Sequence, residues 1–527
     1  MESILRKSNK ISEACRNEGN RLYIKKKFFD AILKYNESLC YSENKSENAG
    51  MAYANRSAVY FEMKLYKNCL RNIELAKSHN YPEKNFHILN KREEKCQNLM
   101  KNSQTMNNDD EVNFFKLSYE GHKNLTSVAN CLELKYDKKY GRHIVTNKDL
   151  SVGDIVAIED PVFQVIKADD RYSTCYNSNV YQRCSNCLNE NLLDLIPCES
   201  CTKTMFCSEK CKNYSQSNYH KYECPIIDEL LQSGIKHIIL KILFESISIF
   251  NHNIENFKRF INDHSETNLT IFQTFISSKK RENLLLATLS LSSVTEQNEN
   301  SLEDFIKIFQ KTSTLKLLWK DHMGFISGIL QKLIIIGNRD IHGIGSWSLR
   351  QNGIENHEEL KNPSQYQQII GNACFLFSSL LNHSCAPNIK RLNYKNKNII
   401  IVSRPIKAGQ QLFDSYRQNF NLQVKEERQE NLLKHYGFKC DCEACMNNWP
   451  INSQLKVIDE SLLEYVWESH DELPYLIDSK IAEKRFREYC IVFTKHHADF
   501  PSAELIVLQE CISNCLLSIT KPSFQFP

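Results

Sequence analysis

The chain has 527 residues, too many for one ordinary core, so it divides into several domains. Hydrophobic residues make up 41% and charged residues 25%, with only 15 glycines and 12 prolines, which describes a helix-leaning globular protein and excludes disorder on more than a local scale. A formal net charge of +4 is close to neutral at this length and excludes the phosphate-tracking surface of a direct nucleic-acid binder.

The first residues, MESILRKSNK, lack the apolar stretch of a signal peptide, and IIGNACFLFSSLLNH is too short and polar-interrupted to span a bilayer. The expected setting is cytoplasm and nucleus, without membrane attachment. Thiols stay reduced there, so the 21 cysteines are not expected in disulfides, and their clustering suggests metal.

Residues 10–100 read as helix after helix. EGNRLYIKKKFFDAILKYNESLCY and YANRSAVYFEMKLYKNCLRNIELA share one plan, and Asn20 and Asn55 stand 35 apart, near the period of about 34 residues in a tetratricopeptide hairpin. A further helix pair or a capping helix follows in PEKNFHILNKREEKCQNL. KNSQTMNNDDEVN loses nearly all apolar content, so 101–127 is expected to be a linker. CLELKYD, RHIVTNKDL and GDIVAIEDPVF are short, β-branched and partly alternating, and read as strands within 128–183. After a cysteine-rich block at 184–224, residues 225–370 return to amphipathic helices, among them IILKILFESISIF, and end in a polar insertion at 351–368. Strand-like runs resume with NIIIVSRPI and GQQLFDSY, and 448–527 is helical again.

The cysteine-rich block pairs Cys184 with Cys187, Cys198 with Cys201, Cys207 with Cys211 and His220 with Cys224. Zinc takes four such ligands in a tetrahedron, and a closely spaced pair lets one turn supply two, so eight ligands make two sites. Spacing alone leaves their pairing open. So small a block has little apolar core, and metal must supply much of its folding free energy. Cys440, Cys442 and Cys445 are one ligand short of a third site; Cys385 in SLLNHSCAPN can complete it or can be a buried thiol. Three zinc ions per chain follow from twelve ligands.

The ligand order at 184–224 resembles the MYND zinc finger, whose interleaved sites imply Cys184, Cys187, Cys207 and Cys211 on one zinc and Cys198, Cys201, His220 and Cys224 on the other. Where that family has a Trp, Ser217 stands here, with Tyr214 the nearest aromatic. The order of strands, finger, helices, NHSCAPN, GQQLFDSY, HYGF and CDCEAC resembles the SET-and-MYND-domain protein-lysine methyltransferases, and the helical N-terminus resembles their tetratricopeptide-bearing branch. The resemblance implies an α+β multidomain protein: tetratricopeptide array (10–100), linker (101–127), SET domain (128–183 and 371–417) split by the MYND finger (184–224) and a helical insertion (225–370), post-SET zinc segment (428–447) and C-terminal helices (448–527).

It further implies S-adenosyl-L-methionine as methyl donor, with protein lysines, histone or non-histone, as acceptors and a role in transcriptional regulation. Methyl transfer to an amine needs alignment and a neutral nitrogen, which a narrow aromatic passage provides by desolvation. By resemblance Tyr416 is the catalytic tyrosine, Tyr436 and Phe438 wall the lysine channel and lie against the cofactor, and Asn382 and His383 hold the cofactor. Tyr140, Gly141 and Arg142 form the turn that receives it, with His143 where the family has a second Gly, and Asn338 touches it after the inserted helices. Arg16, Asn20, Asn55 and Lys91, with His87 in place of a fifth cation, match a clamp for acidic chaperone C-termini. The other class of function compatible with these residues is an inactive zinc-built adaptor. A monomer is expected.

Overall fold

The computed structural model describes residues 7–102, 114–168, 178–189, 194–265, 281–291, 302–347, 367–472 and 478–520. Five helices open the chain: α1 (Asn9–Ile24), α2 (Phe28–Tyr41), α3 (Glu47–Glu62), α4 (Tyr66–Ser78) and α5 (Phe86–Asn102). α1 packs on α2 and α3 on α4, so two hairpins repeat and α5 closes the array. Both hairpins turn through a lysine in the left-handed region, Lys26 and Lys64. The two asparagines that mark the repeat meet in space: Asn55 Nδ2 donates to Asn20 Oδ1 at 2.7 Å, and the Tyr35 hydroxyl donates to the same oxygen at 2.9 Å.

A five-stranded antiparallel sheet forms the centre, in the order Gly121–His122, Leu125–Ala129, Ile155–Glu159, Lys397–Val402, Ile389–Tyr394. Strand Lys397–Val402 is buried on both faces, which is why NIIIV reads as a continuous apolar run and not as an alternation. Ile399 and Ile401 pack with Phe486, Tyr489 and Leu505 of the C-terminal helices, while Ile400 and Val402 face the core shared with helices Ile235–Ile249 and Ser313–Asp340. A second sheet sets strand Phe163–Ile166 beside Gln367–Cys374, which in turn pairs with Ile341–Trp347. Residues 163–166 and 371–374 thus close a gap of about two hundred residues, and the finger and the long helices stand between them in sequence.

Two expected boundaries move. Strand structure begins at Gly121, inside the expected 101–127 linker, because Leu125 and Val128 bury against the sheet core and Phe114 and Phe115 pack with Phe486 and Tyr394. The 225–370 insertion is helical only to Asp340; Ile341–Trp347 and the start of Gln367–Cys374 are strands, since they pair with each other. The polar insertion at 351–368 lies almost wholly outside the described residues, as does the linker core at 103–113. Among the described residues no helix is long and apolar enough to cross a membrane. Helix Ile235–Ile249 buries two of its charges, Lys241 and Glu245, with Lys241 Nζ donating to the Gln164 carbonyl at 2.7 Å and lying 4.0 Å from the Tyr219 ring centre.

The helical array and the finger share one core. At its centre the fully buried Arg56 donates to Asn72 Oδ1 (2.9 Å), Asn36 Oδ1 (2.7 Å) and the Leu195 carbonyl of the finger (2.8 Å), while Asn36 Nδ2 donates to the Tyr181 carbonyl (2.9 Å). Replacing Arg56 by Met would leave three buried acceptors without donors, at about 1–3 kcal/mol each. The expected outcome is a loss of about 3 kcal/mol or more in urea unfolding, with proteolysis appearing first in α1–α5; an unchanged unfolding midpoint would refute this role.

Candidate active site and metal centres

The structure gathers the metal-ligating candidates into three clusters: Cys184, Cys187, Cys207 and Cys211; Cys198, Cys201, His220 and Cys224; and Cys385, Cys440, Cys442 and Cys445. This settles the pairing that spacing left open, and the interleaved order is the one found. The separations match a metal. A tetrahedron with Zn–S of about 2.3 Å has edges of about 3.8 Å, and the Sγ–Sγ distances are 3.6 Å for Cys187–Cys207 and Cys207–Cys211, 3.9 Å for Cys198–Cys224 and 3.6 Å for Cys385–Cys445. His220 Nε2 stands 3.3 Å from Cys198 Sγ and 3.5 Å from Cys201 Sγ, the slightly shorter edge that a nitrogen ligand gives. The donor sets fit three zinc ions.

The third cluster ties two distant segments together above the candidate active site. Strand Asn382–His383 runs parallel to Phe413–Asp414. Asn388 locks the pair, accepting from Phe413 N–H at 2.7 Å and donating to the Gln411 carbonyl at 2.9 Å. Helix Lys425–Tyr436 then ends at Gly437, whose φ of +77° is a left-handed cap that costs glycine little, and the chain turns Phe438 back toward His383.

Around this crossing the residues singled out in the sequence come together. The Tyr416 hydroxyl donates to the Leu381 carbonyl at 2.9 Å, and its ring lies 4.8 Å from that of Tyr436 and 5.2 Å from His383. Tyr416 N–H donates to His383 Nδ1 at 3.0 Å, which leaves the ring proton on Nε2, 3.4 Å from Cys385 Sγ. Burial holds His383 down at about 4, so it is neutral. Asn382 Nδ2 donates to the carbonyls of Tyr140 (3.1 Å) and Arg142 (3.4 Å), fastening the 140–142 turn to the crossing. Gly141 has a φ of +62° and open space where a side chain would start, so its backbone is free to meet a ligand. His143 does not fill that space: it is buried in its own hairpin, with Nδ1 2.9 Å from the Gly141 carbonyl and Nε2 3.6 Å from Asp137.

Beside Tyr416 opens a cavity of about 410 Å³, whose lining includes Asn338 and Tyr436. The Gly337–Asn338 pair, which reads alone as a turn, is the last turn of helix Ser313–Asp340, because Gly337 packs directly under Ile239. Tyr140, Gly141, Arg142 and Phe438 are not among the residues lining this cavity, and Tyr416, which lines it, is joined to the 140–142 turn through His383 and Asn382. Its charged lining went unread in the sequence: Arg339, Asp340, His342, Arg391, Asp414 and Arg417. An acid within the apolar LFDSY run was the available signal. Asp414 pairs with Arg391 at 2.7 Å, and burial raises its carboxyl while Arg391 opposes that rise. Burial, helped by Asp414 and Asp340, also pushes the Tyr416 phenol up, so it stays protonated.

With this geometry in place, comparison with known proteins is decisive for the domains. A SET domain model matches residues 290–417, and a MYND finger model matches residues 184–224. The chain carries both domains. It is 20% identical over 505 residues to protein-lysine N-methyltransferase SMYD4 of Danio rerio, covering 84% of this chain and 66% of that protein. It is 24% identical over 539 residues to the Homo sapiens SMYD4, covering 82% and 66%. A SET and MYND domain-containing protein of Dictyostelium discoideum is 23% identical over 348 residues, 61% of this chain and 85% of that protein. The chain thus spans just under two thirds of the length of the SMYD4 relatives.

The post-SET cluster also has a counter-charge. Four thiolates around Zn²⁺ leave a net charge of about −2, and the fully buried Arg428 directs Nη2 at Cys445 Sγ from 3.8 Å. Removing such a partner costs about 10–100-fold in metal affinity. Arg428→Met is therefore expected to lose one zinc of three during chelator competition before the finger sites release theirs; equal retention at all three would refute the role.

Proposed function

We propose that this protein is a protein-lysine N-methyltransferase, moving a methyl group from S-adenosyl-L-methionine to lysine side chains of histone or non-histone proteins. One observation carries the reading: the buried Tyr416 phenol, fixed by Leu381, lines an open cavity at the same crossing whose Asn382 fastens the open backbone of the 140–142 turn. The SMYD4 relatives' printed name, protein-lysine N-methyltransferase, supports the same reading.

Tyr140, Gly141, Arg142, Asn382 and His383 would hold the cofactor, with Asn338 and Phe438 at its edges. When bound it supplies an electrophilic methyl group on sulfur. The work of the chain is orientation and exclusion of water. Because the Tyr416 O–H is given to the Leu381 carbonyl, the phenol oxygen is left as an acceptor, able to take an N–H from the substrate amine and aim its lone pair. Tyr436, ring against ring with Tyr416, narrows the passage and desolvates that nitrogen.

The proposal extends to partners and place. Arg16, Asn20, Asn55 and Lys91 belong to an array whose Asn20 and Asn55 side chains meet, and an acidic chaperone C-terminus suits this set of donors. We place the protein in cytoplasm and nucleus as a monomer. Tyr416→Phe removes only the hydroxyl. The expected result is a fall of about 100-fold in methyl incorporation into a lysine-peptide library, with S-adenosylmethionine binding retained by calorimetry. Cofactor binding with no turnover in the unaltered protein would instead favour an adaptor.

A further inference from the structure

We propose that Asp340 is a catalytic residue of this transfer: its carboxylate receives the substrate ammonium in the cavity beside Tyr416 and accepts the proton that must leave before nitrogen can attack. The inference rests on the methyl-transfer reading and deepens it. A lysine amine has an ordinary pKa of about 10.4, so at neutral pH nearly all of it is protonated and carries no lone pair to donate.

The lining of the cavity offers few places for that proton. Tyr416 is a phenol whose O–H is already committed to Leu381. His342 Nδ1 faces the Arg391 guanidinium and its Nε2 faces Ser379 Oγ at 3.5 Å; burial, with Arg391 and Arg417 nearby, holds the ring well below its usual range. Asp414 is taken by Arg391. The Asp340 carboxylate, among the described residues, has neither an ion pair within 4 Å nor a hydrogen bond, and it lines the cavity. It is also the last residue of helix Ser313–Asp340, where the negative end of the helix dipole adds attraction for a cation.

The charges that face it come from every neighbouring element. Burial pushes Asp340 up to about 7, while Arg142 from the Gly141–Thr146 strand and Arg339 from its own helix oppose that rise. Arg391, Arg417, His342 and Asp414 complete the ring of titratable and charged groups, with Tyr416 and Tyr436. A carboxyl at about 7 is half ionised at neutral pH and increasingly able to take a proton above it. The step balances: one N–H bond of the ammonium breaks, its electron pair stays on nitrogen, and the proton bonds to a carboxylate oxygen. That pair then forms the N–C bond as the C–S pair leaves with sulfur, giving a thioether, and Asp340 returns its proton to water through the cavity.

Two measurements on the full chain test this. In the first, without cofactor, dicyclohexylcarbodiimide labels protonated carboxyls at apolar sites, and peptide mass spectrometry reads the extent at residue 340. Labelling is expected to fall several-fold from pH 6 to pH 8 and to be slowed by n-butylammonium. In the second, methyl incorporation is followed from pH 6 to pH 9 for the unaltered protein and Asp340→Asn, alongside calorimetric cofactor binding. The unaltered rate should rise through an apparent pKa near 7 and level off. The variant should lose about 100-fold at pH 7, keep rising to pH 9, and bind S-adenosylmethionine as before. A variant profile parallel to the unaltered one, or labelling at 340 indifferent to pH and butylammonium, overturns the proposal. No turnover in the unaltered protein, with butylammonium protection intact, overturns the methyl-transfer reading instead and leaves the ammonium site standing.

Discussion

The structure depends on one crossing. Two short strands, Asn382–His383 and Phe413–Asp414, lie parallel, and parallel neighbours cannot be joined by a tight hairpin. Pairs of two residues have too few hydrogen bonds to hold themselves. Side chains supply the rest: Asn388 bridges to both Gln411 and Phe413, Ser384 N–H donates to the Asp414 carbonyl at 2.8 Å, and Tyr416 N–H caps on His383. Cys385, two residues past His383, then joins the thiol trio at 440–445. The crossing is therefore pinned from both sides, and Tyr416, Tyr436 and Phe438 inherit their positions from it.

The same reasoning explains what could be read in advance. Metal ligands are legible because a tetrahedron constrains spacing, and all twelve fall into the three clusters. Asn20 and Asn55 are legible because a repeat returns each residue to an equivalent place, and their side chains meet. The strand at 397–402 is legible as apolar but not as to which face meets which core, since burial on both sides removes the alternation. Ile341–Trp347, with four polar or small residues in IHGIGSW, carries no strong strand pattern; its pairing with Gln367–Cys374 makes it a strand.

The charged cavity was illegible for a different reason. Arg339, Asp340, His342, Arg391, Asp414 and Arg417 come from three separate stretches, and each but Asp414, set in the apolar LFDSY run, reads alone as a solvated surface charge. Only the fold brings them together, and only there does Asp414 acquire Arg391 at 2.7 Å. His143 shows the reverse case. The sequence marks it as a bulky residue beside the turn expected to receive the cofactor, yet its ring bonds back to Gly141 and leaves the turn open.

The remaining wall of the cavity hangs from the central sheet. Glu159, at the end of strand Ile155–Glu159, accepts from the N–H groups of Phe377 (2.6 Å) and Ser378 (3.0 Å) and from the Ser378 hydroxyl (2.8 Å). Asn398 on the adjacent strand donates to that hydroxyl at 2.7 Å. The N–H groups of Phe377 and Ser378 thus receive their partner from a sheet strand, while those of Ser379, Leu380 and Leu381 are satisfied within their own short turn by the Phe375, Phe377 and Ser378 carbonyls. Leu381, which holds the Tyr416 hydroxyl, sits on this same short stretch, as does Ser379, whose hydroxyl donates to the Phe375 carbonyl at 2.7 Å. A buried acid in an apolar strand is expensive in isolation; here three donors satisfy Glu159, and through them the short stretch that carries Leu381 is tied to the central sheet.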